Sequence, residues 1–160
     1  MPYVTFLPKE VARNLKEAAN VISVRGVHDS KLDFKVKHNR LLELFFNPFD
    51  CGSKPEQECT LEICDQIIDF VKECGKEDII VHCGEGRIRS PAIAEAIEYI
   101  SHELYETDAH YLTSKAFEGG LKSTASADRQ LTRMIIRRFD ARVKEEAAAV
   151  SEGGECTASA

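Results

Sequence analysis

The chain is predicted to fold as an α/β domain with a central, mainly parallel sheet flanked by helices. Short apolar runs of strand length alternate along it with segments whose apolar residues recur at helical spacing. One strand-like run, Asp78 to Val81, feeds a short glycine-bearing stretch that opens directly onto a helical pattern. At 160 residues the chain suits one domain, long enough to bury a core without disulfide or metal staples. The expected domain covers 1–149.

Taken in order, Lys9 to Ala19 reads as a short helix and Val21 to Val24 as a strand that stops at Gly26. Arg40 to Phe46, rich in leucine and phenylalanine, is a second strand. A helix is expected from Ser53, where Glu56 three residues on makes a capping box and Pro55 is tolerated in the first turn. Leu61, Cys64, Ile67, Ile68 and Val71 then repeat at helical spacing until Gly75. After the Asp78 to Val81 strand, Ser90 is a candidate N-cap with Pro91 at the first helical position, and Ile93, Ile97 and Ile100 share one face. A last helix is expected from Ser126 to Glu146, with Leu131, Ile135 and Phe139 inward. The small, polar stretch from Val150 to Ala160 reads as a disordered tail. There is no internal repeat.

Composition bounds the function. An apolar fraction of 43% with 30% charged residues is that of an ordinary globular protein. No apolar run approaches the roughly 18 residues of a membrane span, and Met1-Pro2-Tyr3 does not open a signal-peptide pattern, so no membrane association is expected. Six cysteines without framework spacing imply free thiols and a cytoplasmic setting. No Cys-x-x-Cys pair or histidine cluster suggests a metal, and no cofactor is expected. A net charge of −6 argues against general nucleic-acid binding.

The informative stretch is Ile79 to Ser90. Cys83 and Arg89 are separated by five residues that include Gly84 and Gly86. A strand that feeds a glycine-bearing loop at a helix N-terminus makes an anion site, because backbone N–H groups converge there and the helix dipole favours negative charge. The same field favours a thiolate, which can attack an electrophile. A planar guanidinium such as that of Arg89 donates two parallel hydrogen bonds to phosphoryl oxygens. The bare spacing is weak evidence, since short motifs recur by chance. Cys51, Cys59, Cys64 and Cys74 are followed six residues later by Gln57, Asp65, Phe70 and Ile80, so Cys83 alone has it among these. What strengthens it is context: His82 before, Ser90 after, glycines within.

On these residues the chain resembles the cysteine-dependent protein tyrosine and dual-specificity phosphatases, whose signature is His-Cys, five residues, Arg, Ser or Thr. It is most similar to small bacterial or phage-type members, whose upstream features match Leu42-Glu43-Leu44-Phe45-Phe46 and Phe70-Val71 here. The similarity spans about Val21 to Ile100. The resemblance implies a protein tyrosine phosphatase-like fold and hydrolysis of phosphomonoesters, chiefly phosphotyrosine in proteins, through a cysteinyl-phosphate. Cys83 would attack; Gly84, Glu85, Gly86, Arg87, Ile88 and Arg89 would cradle the phosphate. Ser90 would donate to the sulfur, and His82 would hold the loop and tune the thiol.

The implied general acid is an aspartate on a loop after a strand. Asp50, in Asn47-Pro48-Phe49-Asp50, stands 33 residues before Cys83, with Glu56 and Glu58 next in line. The order departs from the family's Trp-Pro-Asp form, and Asp50 could equally shape a turn. Glu85 departs from what an anion loop favours and would have to point outward. Cys51, beside Asp50, is a packed thiol or a redox partner of Cys83. Arg129, Arg133 and Arg137 form an i, i+4, i+8 stripe that reads as a solvated helix face; Gln130 has no firm role. Two alternatives stay open: a rhodanese-like sulfurtransferase, and a phosphate-binding module without turnover. An RNA 5′-phosphatase is a substrate variant of the first reading.

Overall fold

The computed structural model describes residues 3–49, 51–84, 86–105, 114–116 and 127–158, with 114–116 and 152–158 described through their backbone. Asp50 and Glu85 lie outside the described residues. The strands are β1 (Val4–Pro8), β2 (Asn20–Arg25), β3 (Arg40–Phe45), β4 (Ile79–Cys83) and β5 (Ser114–Ala116). The helices are α1 (Lys9–Arg13), α2 (Leu61–Cys74), α3 (Arg89–Tyr105) and α4 (Arg129–Ala158). The strands form one sheet in the order β3-β2-β4-β1-β5, and every neighbouring pair is parallel. The α/β class and the parallel sheet are as expected from the sequence.

The strand period of two sorts side chains onto two faces. Val4 and Phe6, Ile22 and Val24, Leu44 and Phe46, and Ile79, Val81 and Cys83 share the core that α2, α3 and α4 complete. From the helices come Ile67, Ile68 and Val71, then Ile93, Ile97 and Ile100, and then Leu131, Ile135 and Phe139, all buried. These are the residues whose helical spacing marks them in the sequence. Polar ties fix α4 over its neighbours. The Thr132 hydroxyl donates to the Ala92 carbonyl at 3.1 Å and Tyr99 to Asp140 at 3.0 Å. Asp65 accepts from Arg138 Nε at 2.8 Å, which holds its carboxyl below the usual range. Among the described residues no helix is long and apolar enough to cross a membrane.

Several boundaries differ from the sequence expectation, each for a local reason. The first helix stops at Arg13 because the Asn14 side chain donates to the Glu10 carbonyl at 2.6 Å, competing with the backbone ladder. Ser53 does not cap α2. Pro55 instead opens a 3-10 turn, Pro55–Gln57, and Thr60 caps the helix by accepting from the Ile63 N–H at 3.3 Å. Ser90 is not an N-cap either; it is the second residue of α3, which begins at Arg89. The last helix begins at Arg129 rather than Ser126 and runs to Ala158, through the stretch expected to be a disordered tail. Its glutamate- and alanine-rich run, Glu145 to Ala149, is made of strong helix formers. β1 and β5 have no counterpart in the sequence reading.

Candidate functional site

β4 is the middle strand, paired with β2 on one side and β1 on the other, and it ends at Cys83. A parallel sheet binds ligands beyond the carboxyl ends of its strands, so this terminus is the favoured position for a site. Alternation sends Cys83 to the helical side of the sheet, with Ile79 and Val81. His82 points to the other.

The segment from Cys83 to Arg89 is held at four points. The Lys9 N–H donates to the Gly84 carbonyl at 3.1 Å, and the Asp128 N–H donates to the Ile88 carbonyl at 2.9 Å. Arg89 Nη1 donates to the Phe46 carbonyl, just past the end of β3, at 2.7 Å. Gly86 lies against the junction of β1 and α1. It has φ +72°, and a Cβ built there would stand 2.7 Å from Pro8 N and 2.9 Å from Leu7 C. Only glycine meets both demands. Gly84 differs, since a Cβ there would find ordinary room, 3.8 Å from an Arg89 nitrogen.

With carbonyls tied outward, N–H groups are left for the interior. Cys83 Sγ is buried and lies 3.2 Å from Ser90 Oγ. Burial alone would push the thiol up. The Ser90 hydroxyl, the Ser90 N–H, the Arg89 charge and the Gly86 N–H outweigh it and hold the thiol below its ordinary range. Arg89 is half-buried, and its Nε has no hydrogen-bond partner among the described residues. It is a spare donor beside the sulfur's loop. Arg87 and Ile88 are exposed at the loop's outer side.

The opposite face of β4 carries a separate polar layer. His82 is fully buried, and its Nε2 forms a 2.6 Å hydrogen bond with Ser23 Oγ, its register partner on β2. Phe34 packs edge-on at 5.9 Å between ring centroids. Burial lowers the imidazole to about 4; the adjacent Cys83 backbone opposes this, and the charges of Arg25 and Arg89 add to it. His82 is therefore neutral at physiological pH. Arg25, itself buried, is occupied by Glu43 at 3.4 Å, the Ser30 carbonyl at 2.5 Å and the Phe45 ring at 4.7 Å.

Cys83, Gly84, Gly86, Arg87, Ile88, Arg89 and Ser90 thus form one loop and helix start, and His82 stands behind it. The loop before Asp50 is bound to the same centre. Asp128 accepts from the Phe49 N–H at 2.9 Å with one carboxylate oxygen and from the Leu131 N–H at 3.2 Å with the other. It therefore caps α4 while joining Phe49 to Ile88. Asp128 went unread in the sequence, although an aspartate before a helical run is an N-cap signal. Ser23, Leu7 and Pro8 carried no signal, because their roles exist only through strand pairing. Cys51 is exposed and hydrogen-bonded to the Pro48 carbonyl at 2.9 Å and Ser53 Oγ at 3.0 Å. Among the described residues all five cysteines are free and no three His, Cys, Asp or Glu side chains converge as a metal set would. No protein-family model matches the chain, and no curated protein matches it.

Two expectations follow from this geometry. Gly86→Ala forces Cβ into the Leu7–Pro8 backbone, so the loop must shift; reaction of Cys83 with iodoacetamide at pH 6 should slow at least tenfold while the helical circular dichroism is kept. An unchanged rate would show that the contact does not shape the loop. For His82, the unfolded ring takes up its proton near 6.5 and the folded one only near 4, so stability rises with pH across that window. The advantage of wild type over His82→Gln in urea unfolding should shrink by about 3 kcal/mol from pH 7 to pH 4, at roughly 1.4 kcal/mol per pH unit. A pH-independent difference would mean that the imidazole is solvated.

Proposed function

We propose that the protein is a phosphomonoester hydrolase of the protein tyrosine phosphatase type, acting on phosphotyrosine in proteins through a cysteinyl-phosphate. The observation that carries this reading is the environment of Cys83. A buried thiol is held below its ordinary range by Ser90 and the Gly86 N–H, with the unoccupied Nε donor of Arg89 on the same loop. A thiolate at a helix N-terminus and a fork of donors suit a tetrahedral dianion and its trigonal-bipyramidal transition state.

In the proposed sequence Cys83 Sγ attacks phosphorus and the P–O bond to the alcohol breaks. The departing oxygen takes a proton from Asp50, which resembles the family acid in position. Water then attacks the thiophosphate, returning a proton to Asp50 and releasing phosphate and the Cys83 thiolate. Ser90 eases that departure by donating to the sulfur as negative charge returns. These steps call only on groups of the chain. His82 takes no proton in this scheme, since it lies on the other face of β4 and stays neutral; it supports the strand end. The acidic chain favours a phosphoprotein over RNA as substrate.

The deciding experiment is phosphate release from p-nitrophenyl phosphate and a phosphotyrosine peptide, with reductant present. Cys83→Ser should abolish turnover yet retain phosphopeptide binding, whereas Arg89→Ala should lose both. Activity surviving Cys83→Ser refutes the assignment, and sulfur transfer from thiosulfate to cyanide faster than ester hydrolysis replaces it with a sulfurtransferase. For the acid, Asp50→Asn should lower turnover by roughly 10²–10⁴-fold, most for poor leaving groups. An unchanged dependence on leaving-group pKa would move the role to another carboxylate.

A further inference from the structure

Arg133 and Arg137 stand one turn apart on α4, and both are exposed. Other arginines of the helix are engaged: Arg129 with Glu95 at 2.5 Å, Arg138 with Asp65 at 2.8 Å, Arg142 with Asp69 at 2.7 Å. Among the described residues no carboxylate reaches Arg133 or Arg137. Two like charges at i, i+4 repel, and in a chain of net charge −6 partners are plentiful. Folding does not account for leaving this pair free.

The two line a groove of about 710 Å³ together with Phe49, Leu61 and Met134. Three arginines and no carboxylate lie among its described lining residues. Leu61 is 55% exposed, a large apolar side chain with little to cover it. The groove adjoins the candidate site. Phe49 is bonded to Asp128, and Asp128 to Ile88 of the cysteine loop. At about 1.5 Å of rise per residue, Arg133 lies about 7 Å and Arg137 about 13 Å along α4 from Asp128. That is about two to four residues of extended polypeptide.

We propose that this groove is a specificity subsite for acidic phosphopeptides. With the phosphoryl group in the Cys83 loop, the substrate chain runs along α4. Carboxylate side chains two to four residues from the phosphoresidue meet Arg133 and Arg137, and an apolar neighbour rests on Phe49, Leu61 and Met134. The assignment rests on the hydrolase reading above. Charge complementarity selects the occupant, and a wall with Phe49 as its one aromatic favours polypeptide over single-stranded nucleic acid, which would want a stacking surface of several aromatics.

The test compares two phosphotyrosine peptides that carry either Glu or Gln at the second to fourth positions on both sides. Wild type should prefer the Glu peptide by roughly tenfold in kcat/KM, mainly through KM and less at high salt, as rim ion pairs behave. Arg133→Ala/Arg137→Ala should lose that preference and turn over p-nitrophenyl phosphate within twofold of wild type. Arg133→Lys/Arg137→Lys should keep part of the preference, which decides the matter should the alanine variant misfold. Equal use of both peptides by wild type overturns the proposal, as does a preference that survives loss of both arginines. A single-stranded RNA that displaces the Glu peptide at lower concentration than unlabelled peptide overturns it too. Fluorescence anisotropy of both peptides on Cys83→Ser separates the two readings. If wild type hydrolyses neither ester, the hydrolase reading falls, and Glu-over-Gln binding dependent on the arginines still upholds the groove.

Discussion

The candidate site depends on one close approach, that of Gly86 to the Leu7–Pro8 backbone. No side chain fits between them, and the positive φ at Gly86 turns the chain back over the end of β4. From that turn follow the outward carbonyls of Gly84 and Ile88, taken by Lys9 and Asp128, and the inward N–H groups around Cys83. β1 is therefore more than a strand of the sheet. It is the floor on which the loop is moulded, which is why the strand beside β4 ends in Pro8, a residue with no N–H of its own to satisfy.

The thiol illustrates how burial and hydrogen bonding compete. Removing Cys83 from water favours the neutral form, and a buried sulfur without donors would be inert. Here the Ser90 hydroxyl, two N–H groups and the Arg89 charge act in a low-dielectric setting, where each is worth more than in water. The burial that would suppress the thiolate also strengthens what stabilises it. His82 shows the opposite outcome one residue earlier. Burial beside two arginines outweighs the opposing influence of the Cys83 backbone, and it stays neutral.

α4 joins these pieces into one unit. Its cap, Asp128, binds the cysteine loop by donating its N–H to Ile88 and the loop after β3 by accepting from Phe49 with its carboxylate, so a single residue aligns segments far apart in the chain. Thr132, Asp140 and Arg138 fasten the same helix to α3 and α2. Arg133 and Arg137, on the outer side, are then presented at a set distance from Cys83 by a rigid element.

What the sequence determined by itself is what short-range chemistry encodes. The helical spacing of Ile67, Ile68 and Val71 and of Leu131, Ile135 and Phe139 marked core faces, because burial of a stripe needs that period. The Cys83-to-Ser90 run was legible because a strand, glycines and a helix start lie contiguous there. Its cap assignments failed at Ser53 and Ser90, where the hydroxyls found side-chain partners instead of helix N–H groups: Asn47 and Cys51 for the first, Cys83 for the second. Only the tertiary structure decided that Val4–Pro8 pairs with β4, that Gly86 and not Gly84 is sterically required, and that Asp128 bridges two loops. Each depends on contacts between residues distant in the chain, and such contacts leave no periodicity for a sequence to display.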